Sequence, residues 1–270
     1  MLVLVSSTGV CGPGLDSDVV KALGLPPDVE RSHVTFQGCG AAMNGLRVAS
    51  QVCVCHPRGT HALLVCVELP SLHARYRDTV NDAILHAIFA DGCAAAASRG
   101  MAPAVVVFSV GGGGYGLGES LEILDNRSWL VDNTEDGIVM SLGDDGIGCR
   151  LSKQLPDYVS QHITDFVGEV LRGHSVPQES VDFWAVHPGG HRIVEETRRS
   201  LGLTHEETVE SWEVLREYGN MLSATVLFVL ERALRRHKEL RRRGGRGFRH
   251  LLALSFSPGV TVEGLLLRPT

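Results

Sequence analysis

Residues 35–46 read Thr-Phe-Gln-Gly-Cys-Gly-Ala-Ala-Met-Asn-Gly-Leu: an apolar approach, a cysteine between two glycines, then a run of small side chains. The pattern predicts a strand over residues 33–37, a sharp turn through Gly38, Cys39 and Gly40, and a helix over residues 40–54. A thiol at a helix N-terminus meets the positive end of the dipole and free backbone amides, which favour the thiolate. Small neighbours leave room for a substrate. Cys39 is therefore a candidate nucleophile, although a buried cysteine at a tight strand-to-helix turn would be spelt the same way.

Outward from this segment, apolar β-branched runs alternate with helical periodicity. Strands are predicted over residues 2–6, 62–69, 104–110, 183–187, 251–256 and 261–267, and helices over 16–23, 82–89, 158–172, 192–201 and 222–236. Several strands are apolar throughout, which suits central strands covered on both faces in an α/β architecture. A polar, acidic stretch from Glu119 to Asp136 marks a junction between two halves, residues 1–125 and 126–270. The glycine-rich segment from Val110 to Gly118 invites a phosphate-loop reading. It lacks a Gly-Lys-Ser/Thr ending and opens no amphipathic helix, so a hairpin or surface loop is expected instead.

The 270 residues are 44% hydrophobic and 21% charged, with net charge −6. No run of eighteen or more apolar residues is present, and the N-terminus lacks a basic region, so a membrane span and a signal peptide are not expected. The expected location is the cytoplasm. Seven cysteines cannot all pair within one chain. Cys53 and Cys55 form only a Cys-x-Cys without a second pair, so no metal site is expected. The arginines between Arg232 and Arg249 suit a solvated helix end and loop better than a site for an acidic carrier or nucleic acid, since no aromatic ladder accompanies them.

Two further segments carry chemistry. Residues 183–193, Phe-Trp-Ala-Val-His-Pro-Gly-Gly-His-Arg-Ile, end a hydrophobic strand in His187, where an imidazole can point into a cleft. Residues 216–225, Arg-Glu-Tyr-Gly-Asn-Met-Leu-Ser-Ala-Thr, place Asn220 just ahead of a long apolar helix, where asparagine also serves as an ordinary cap.

Together, and in this order, the three segments resemble the type III polyketide synthases, the chalcone and stilbene synthase-like branch of the thiolase-like superfamily. Gln37-Gly38-Cys39 matches the nucleophile elbow, Trp184 to Gly190 matches Trp-x-x-His-Pro-Gly-Gly, and Glu217 to Thr225 matches Glu-Tyr-Gly-Asn-Met-x-Ser-Ala-Thr. Supporting similarity runs through Ser7 to Asp16, Cys66 to Leu69, Leu85 to Gly92 and Ser257 to Glu263. The resemblance implies a duplicated, layered α-β-α-β-α fold with its first half incomplete. It implies that Cys39, His187 and Asn220 are catalytic. An acyl-CoA starter would load on Cys39, malonyl-CoA would lose carbon dioxide and extend it by Claisen condensation, and the chain would then cyclise. His187 and Asn220 would donate hydrogen bonds to the thioester oxygen where negative charge develops. Coenzyme A thioesters are substrates in this reading, no cofactor is implied, and a homodimer is expected.

By the same alignment Gly12, Cys149, Leu151 and Leu222 fall at cavity or tunnel positions. Gly189, Gly190 and Arg192 fall beside the pantetheine arm. Cys149 stands where the family has a gatekeeper phenylalanine, Leu222 where it has a serine, and Ser255 to Gly259 replace a Gly-Phe-Gly-Pro-Gly loop. The other gatekeeper phenylalanine has no secure counterpart, Tyr76 being the nearest guess. The similarity starts about a third of the way into a typical member, so the chain is expected to lack roughly the family's N-terminal third. Two other readings remain: an initiating β-ketoacyl carrier-protein synthase, whose histidine is usually followed by glutamine-alanine-asparagine, and a catalytically silent truncated homologue acting only as a subunit or binding partner.

Overall fold

A computed structural model describes residues 1–56, 60–99, 105–110 and 120–270. The glycine-rich stretch 111–118 lies outside the described residues. In chain order the elements are β1 (Leu2–Val5), α1 (Leu15–Ala22), β2 (Arg31–Val34), α2 (Ala41–Cys55), β3 (His61–Glu68), α3 (Val80–Ile88), β4 (Gly92–Arg99) and β5 (Val105–Val110). There follow β6 (Leu121–Leu130), β7 (Ile138–Gly143), β8 (Gly146–Leu151), α4 (Leu155–Gly173), β9 (Val181–Val186), α5 (His191–Ser200), α6 (Val209–Tyr218), α7 (Thr225–Arg242), β10 (His250–Ser257) and β11 (Thr261–Pro269). Among the described residues nine strands form one sheet in the order β2-β1-β3-β4-β5-β6-β11-β10-β9, and β7 and β8 form a separate hairpin.

The period of two along each strand explains the layers. In β1, Val3 and Val5 pack into the core that contains Ala41, Ala42, Met43 and Leu46 of α2, while Leu2 and Leu4 face Leu15, Val19 and Val20 of α1. In β10, Leu251 and Ala253 join the first core with Val226, Leu227 and Leu230 of α7, while Leu252, Leu254 and Phe256 meet Val159, Ile163 and Phe166 of α4. Strands apolar on both faces are thus sandwiched between helices, as the continuous apolar runs predict. This is an α/β architecture with helices layered on both faces of a mixed sheet.

Two strands escape local prediction. β4 contains the alanine-rich Cys93 to Ser98, whose intrinsic preference is helical. It becomes a strand because it pairs antiparallel with both β3 and β5. The polar stretch expected to be a junction is largely β6, paired antiparallel to β11. Its polar side chains have partners within the fold: Asn126 accepts from Arg47 Nη2 at 2.8 Å, and Ser128 donates to Glu263 at 2.9 Å. Polar pairing across the fold, invisible to a hydrophobicity pattern, makes this strand look like a loop.

The elbow at Cys39 is tightly built. Phe36 and Gly38 have φ of 56° and 53°, in the left-handed region, and the turn Gly38–Gly40 is 3-10 in form. A Cβ on Gly40 would stand 2.2 Å from Ser257 Oγ and 2.7 Å from Glu263 Cγ. Gly40→Ala should therefore destabilise the protein by about 3 kcal/mol, read from the urea unfolding midpoint. A stability equal to wild type would show that the contact is slack.

Candidate active site

Three chain segments converge on a cavity of about 300 Å3 whose lining includes Cys39, His187 and Asn220. Cys39 arrives on the turn before α2. His187 follows β9, and its backbone N–H donates to Leu254 O of β10 at 2.7 Å, which fixes the strand end. Asn220 follows α6, and its backbone is held on both sides: its N–H donates to Ile88 O at 2.8 Å and its carbonyl accepts from Ala90 N–H at 2.9 Å.

The Asn220 side chain has little freedom. Its Oδ1 accepts from Leu222 N–H at 2.9 Å and from Thr225 Oγ1 at 3.4 Å, and its Nδ2 donates to Gly189 O at 3.1 Å. These partners fix which end of the amide is the donor. Cys39 Sγ lies 3.8 Å from both Oδ1 and Nδ2. The capping function readable from sequence and the contact with the thiol are thus performed by the same amide.

His187 is 1% exposed, and neither ring nitrogen has a partner among the described residues. The imidazole is therefore uncommitted, able to accept or donate one proton in the cavity. Burial pushes the Cys39 thiol up to about 12, a shift that the Asn220 contact only partly offsets, and it pushes the His187 imidazole down to about 3. Desolvation is thus the largest influence on the Cys39 thiol, and it acts against the thiolate expected from sequence. Taken singly, both charged forms are disfavoured between these values. A proton moved from sulfur to imidazole within the cavity would create two opposite charges at once, and an opposite charge nearby favours each ionised form.

Beneath the elbow lies Glu68, fully buried at the end of β3. It accepts from Ser7 N–H at 3.0 and 3.2 Å, from Thr8 Oγ1 at 2.8 Å and from Ser223 Oγ at 2.6 Å. Gly38 N–H in turn donates to Ser7 Oγ at 3.0 Å. Burial raises the Glu68 pKa while these donors lower it.

Cys149, Leu151, Leu222, Gly189, Gly190 and Arg192 all line the same cavity. Gly12 does not: it is exposed and absent from the lining of both cavities described here. A second cavity of about 380 Å3 lies against the first, and the two share Phe89, Met140, Cys149 and Leu222. Phe89, between the two residues that hold the Asn220 backbone, is thus an aromatic residue at the boundary. Tyr76 lines only the outer cavity and is 94% exposed. Nothing in the local spelling singles out Phe89; the resemblance through Leu85 to Gly92 was its one signal. Lys153 also reaches the inner cavity, near Arg192, and neither cation has an acidic partner among the described residues. By contrast Arg232, Arg236, Arg243 and Arg246 pair with Glu213, Glu210, Glu239 and Asp182, which accounts for much of the arginine cluster. Among the described residues there is no group of metal-ligating side chains and no helix long and apolar enough to cross a membrane.

Comparison with known proteins fits this geometry. The N-terminal domain of chalcone and stilbene synthases matches residues 1–103, and their C-terminal domain matches residues 122–270. The chain belongs to the chalcone and stilbene synthase family. It is 40% identical over 271 aligned positions to the alpha-pyrone synthesis polyketide synthase-like Pks18 of Mycobacterium tuberculosis, covering 98% of this chain and 64% of that protein. Polyketide synthase 37 of Dictyostelium discoideum is 32% identical, over 98% of this chain and 8% of its own length. The crystal structure of PKS-I from the brown alga Ectocarpus siliculosus superposes with TM-score 0.89 at 48% identity, covering all of this chain and 68% of that one. The type III domain of Steely1, a hybrid synthase from Dictyostelium, superposes with TM-score 0.81 at 28% identity, covering 99% of this chain and 69% of that one. The chain thus spans about two thirds of these relatives, apart from the much longer polyketide synthase 37.

If proton transfer to His187 is what makes the thiolate tolerable, His187→Ala should slow alkylation of Cys39 by iodoacetamide at pH 7 by about tenfold or more. The deficit should shrink as pH climbs toward the thiol's own value. Peptide mass spectrometry reads the rate, and equal rates at pH 7 would rule out the pairing.

Proposed function

We propose that this chain is a type III polyketide synthase in which Cys39 carries the acyl group and His187 and Asn220 stabilise the thioester oxygen. The observation that carries the reading is the single cavity into which a thiol, an uncommitted imidazole and an oriented carboxamide project. Cys39 would attack an acyl-CoA thioester and release free coenzyme A. Malonyl-CoA would then lose carbon dioxide, the enolate oxygen being held by Asn220 Nδ2 and neutral His187. Attack of that enolate on the acyl carbonyl would free the Cys39 sulfur and leave the extended chain on coenzyme A. Neutral donors suit this charge pattern, because they stabilise a developing oxyanion without themselves requiring a charge in a desolvated site.

Lys153 and Arg192 are assigned to the coenzyme A end, since unpaired cations at a cavity mouth attract phosphate. Residues 1–125 and 126–270 are proposed to act as two halves joined at β6, which links β5 to β11 in the continuous sheet. A homodimer is also proposed, with the exposed Val10, Cys11 and Gly12 loop as a candidate contact. The comparisons favour this branch over an initiating β-ketoacyl synthase.

Incubation with radiolabelled malonyl-CoA and acyl-CoA starters tests the reading. Wild type should release carbon dioxide and form acylated protein, and Cys39→Ala should form no acyl-enzyme. Acylation that persists in the variant would remove Cys39 from the mechanism, and an inert wild type would favour the silent-subunit alternative. Asn220→Ala should lower malonyl-CoA decarboxylation about 100-fold or more, measured as released labelled carbon dioxide, because it deletes one of two oxyanion donors; a loss below tenfold would assign Asn220 a structural role.

A further inference from the structure

We propose that the outer cavity is a subsite for an oxyanion at the far end of an acyl chain held on Cys39, and that Arg75 is the side chain that reads it. The oxyanion is either the carboxylate of a dicarboxylic acyl group or the enolate of a 1,3-diketone. The proposal rests on Cys39 being the acyl carrier, and it adds a specificity that the shared family chemistry leaves open.

Position comes first. The outer cavity shares Phe89, Met140, Cys149 and Leu222 with the cavity that holds Cys39, so a chain anchored on the sulfur has this space next to it. Arg75 belongs to its lining. The guanidinium is set by the β7–β8 hairpin: Nη2 donates to Gly146 O at 3.0 Å, and a Cβ on Gly148 would stand 3.0 Å from both Nη1 and Nη2. A side chain at 148 would push the planar group aside by a few tenths of an ångström.

Charge comes next. Arg75 has no acidic partner within ion-pair distance among the described residues, whereas its neighbour Arg77 pairs with Asp145. Its Nε is buried without a hydrogen-bond partner, and Nη1 makes no hydrogen bond to any described residue. Arginine stays protonated in proteins, so these donors cannot be silenced by losing a proton. Leaving a charged donor unpaired is unfavourable, and a planar oxygen pair is the partner its fork fits best.

Two of the competing groups in the cavity are already committed, and His86, the other imidazole in the lining, lies against the Tyr76 ring. His73 Nε2 donates to Thr8 O at 2.7 Å and its Nδ1 accepts from Ile147 N–H at 3.2 Å, a pattern that requires the neutral ring. Ser71 gives both its N–H and its hydroxyl to Asp91, at 2.9 and 2.6 Å. Asp82 is the one acidic residue in the lining, and it makes no ion pair with Arg75. The lining therefore offers one fixed positive charge with free donors, beside an apolar wall.

The test uses Cys39→Ala protein, which has no sulfur to acylate, titrated calorimetrically with N-acetylcysteamine thioesters. Glutaryl is compared with pentanoyl, and 3,5-dioxohexanoyl with hexanoyl, so the two pairs separate the carboxylate from the enolate source. The acidic member of at least one pair should bind about tenfold more tightly than its alkyl control. Adding Arg75→Met should erase that preference with hexanoyl affinity unchanged, and Arg75→Lys should keep part of it. Equal affinities within both pairs, a preference that survives Arg75→Met, or loss of alkyl and acidic ligands together would each overturn the proposal. Failure of the polyketide reading is seen separately, as absence of acyl-enzyme when protein with Cys39 intact is mixed with hexanoyl-CoA.

Discussion

Glu68 sits at the end of β3 with no solvent exposure, and its two oxygens accept hydrogen bonds from Ser7, Thr8 and Ser223. A carboxylate removed from water is tolerated only when such donors replace its hydration. Here the donors come from the loop after β1 and from the turn before α7, and Ser7 in turn holds Gly38 beside Cys39. The cysteine elbow and the asparagine turn, 181 residues apart at Cys39 and Asn220, are thereby referred to one fixed point. Removing the carboxylate would leave several buried donors without acceptors at once, which couples the stability of this region to the geometry of the site.

Around that anchor the site divides into two chambers. The inner one holds the thiol, imidazole and carboxamide; the outer one holds Arg75 and His73; Phe89, Met140, Cys149 and Leu222 stand between them. Leu222 has φ of 46°, a left-handed conformation costly for a leucine, and its N–H is the one held by Asn220 Oδ1. The wall of the chamber and the orientation of the Asn220 amide are therefore set by the same turn. Substituting at Leu222 alters cavity shape and amide position together, whereas Cys149, on the separate β7–β8 hairpin, shapes the cavity from a side that leaves Asn220 untouched.

Local spelling carried much of the fold. Apolar runs such as Leu2 to Val5 and Leu251 to Phe256 alternate side chains between two helical layers, so they read as buried strands from sequence. β4 did not, because alanine carries no strand preference and its pairing with β3 and β5 decides its state. β6 did not, because Asn126 and Ser128 find partners on α2 and β11 that no neighbouring residue reveals. Phe89 went unremarked for a similar reason: an aromatic residue after a helix is ordinary until the chain around it is seen to hold Asn220.

By itself the sequence determined which residue types are available and in what order: a cysteine between glycines, a histidine at a strand end and an asparagine before a helix, each fixed by local backbone preference. Only tertiary structure decided that the three share one cavity. It also decided that burial raises the Cys39 thiol and lowers the His187 imidazole, and that Arg75 has no acidic partner among the described residues. Desolvation and partner geometry arise from atoms brought together across the fold, so they have no signature in the residues adjacent along the chain.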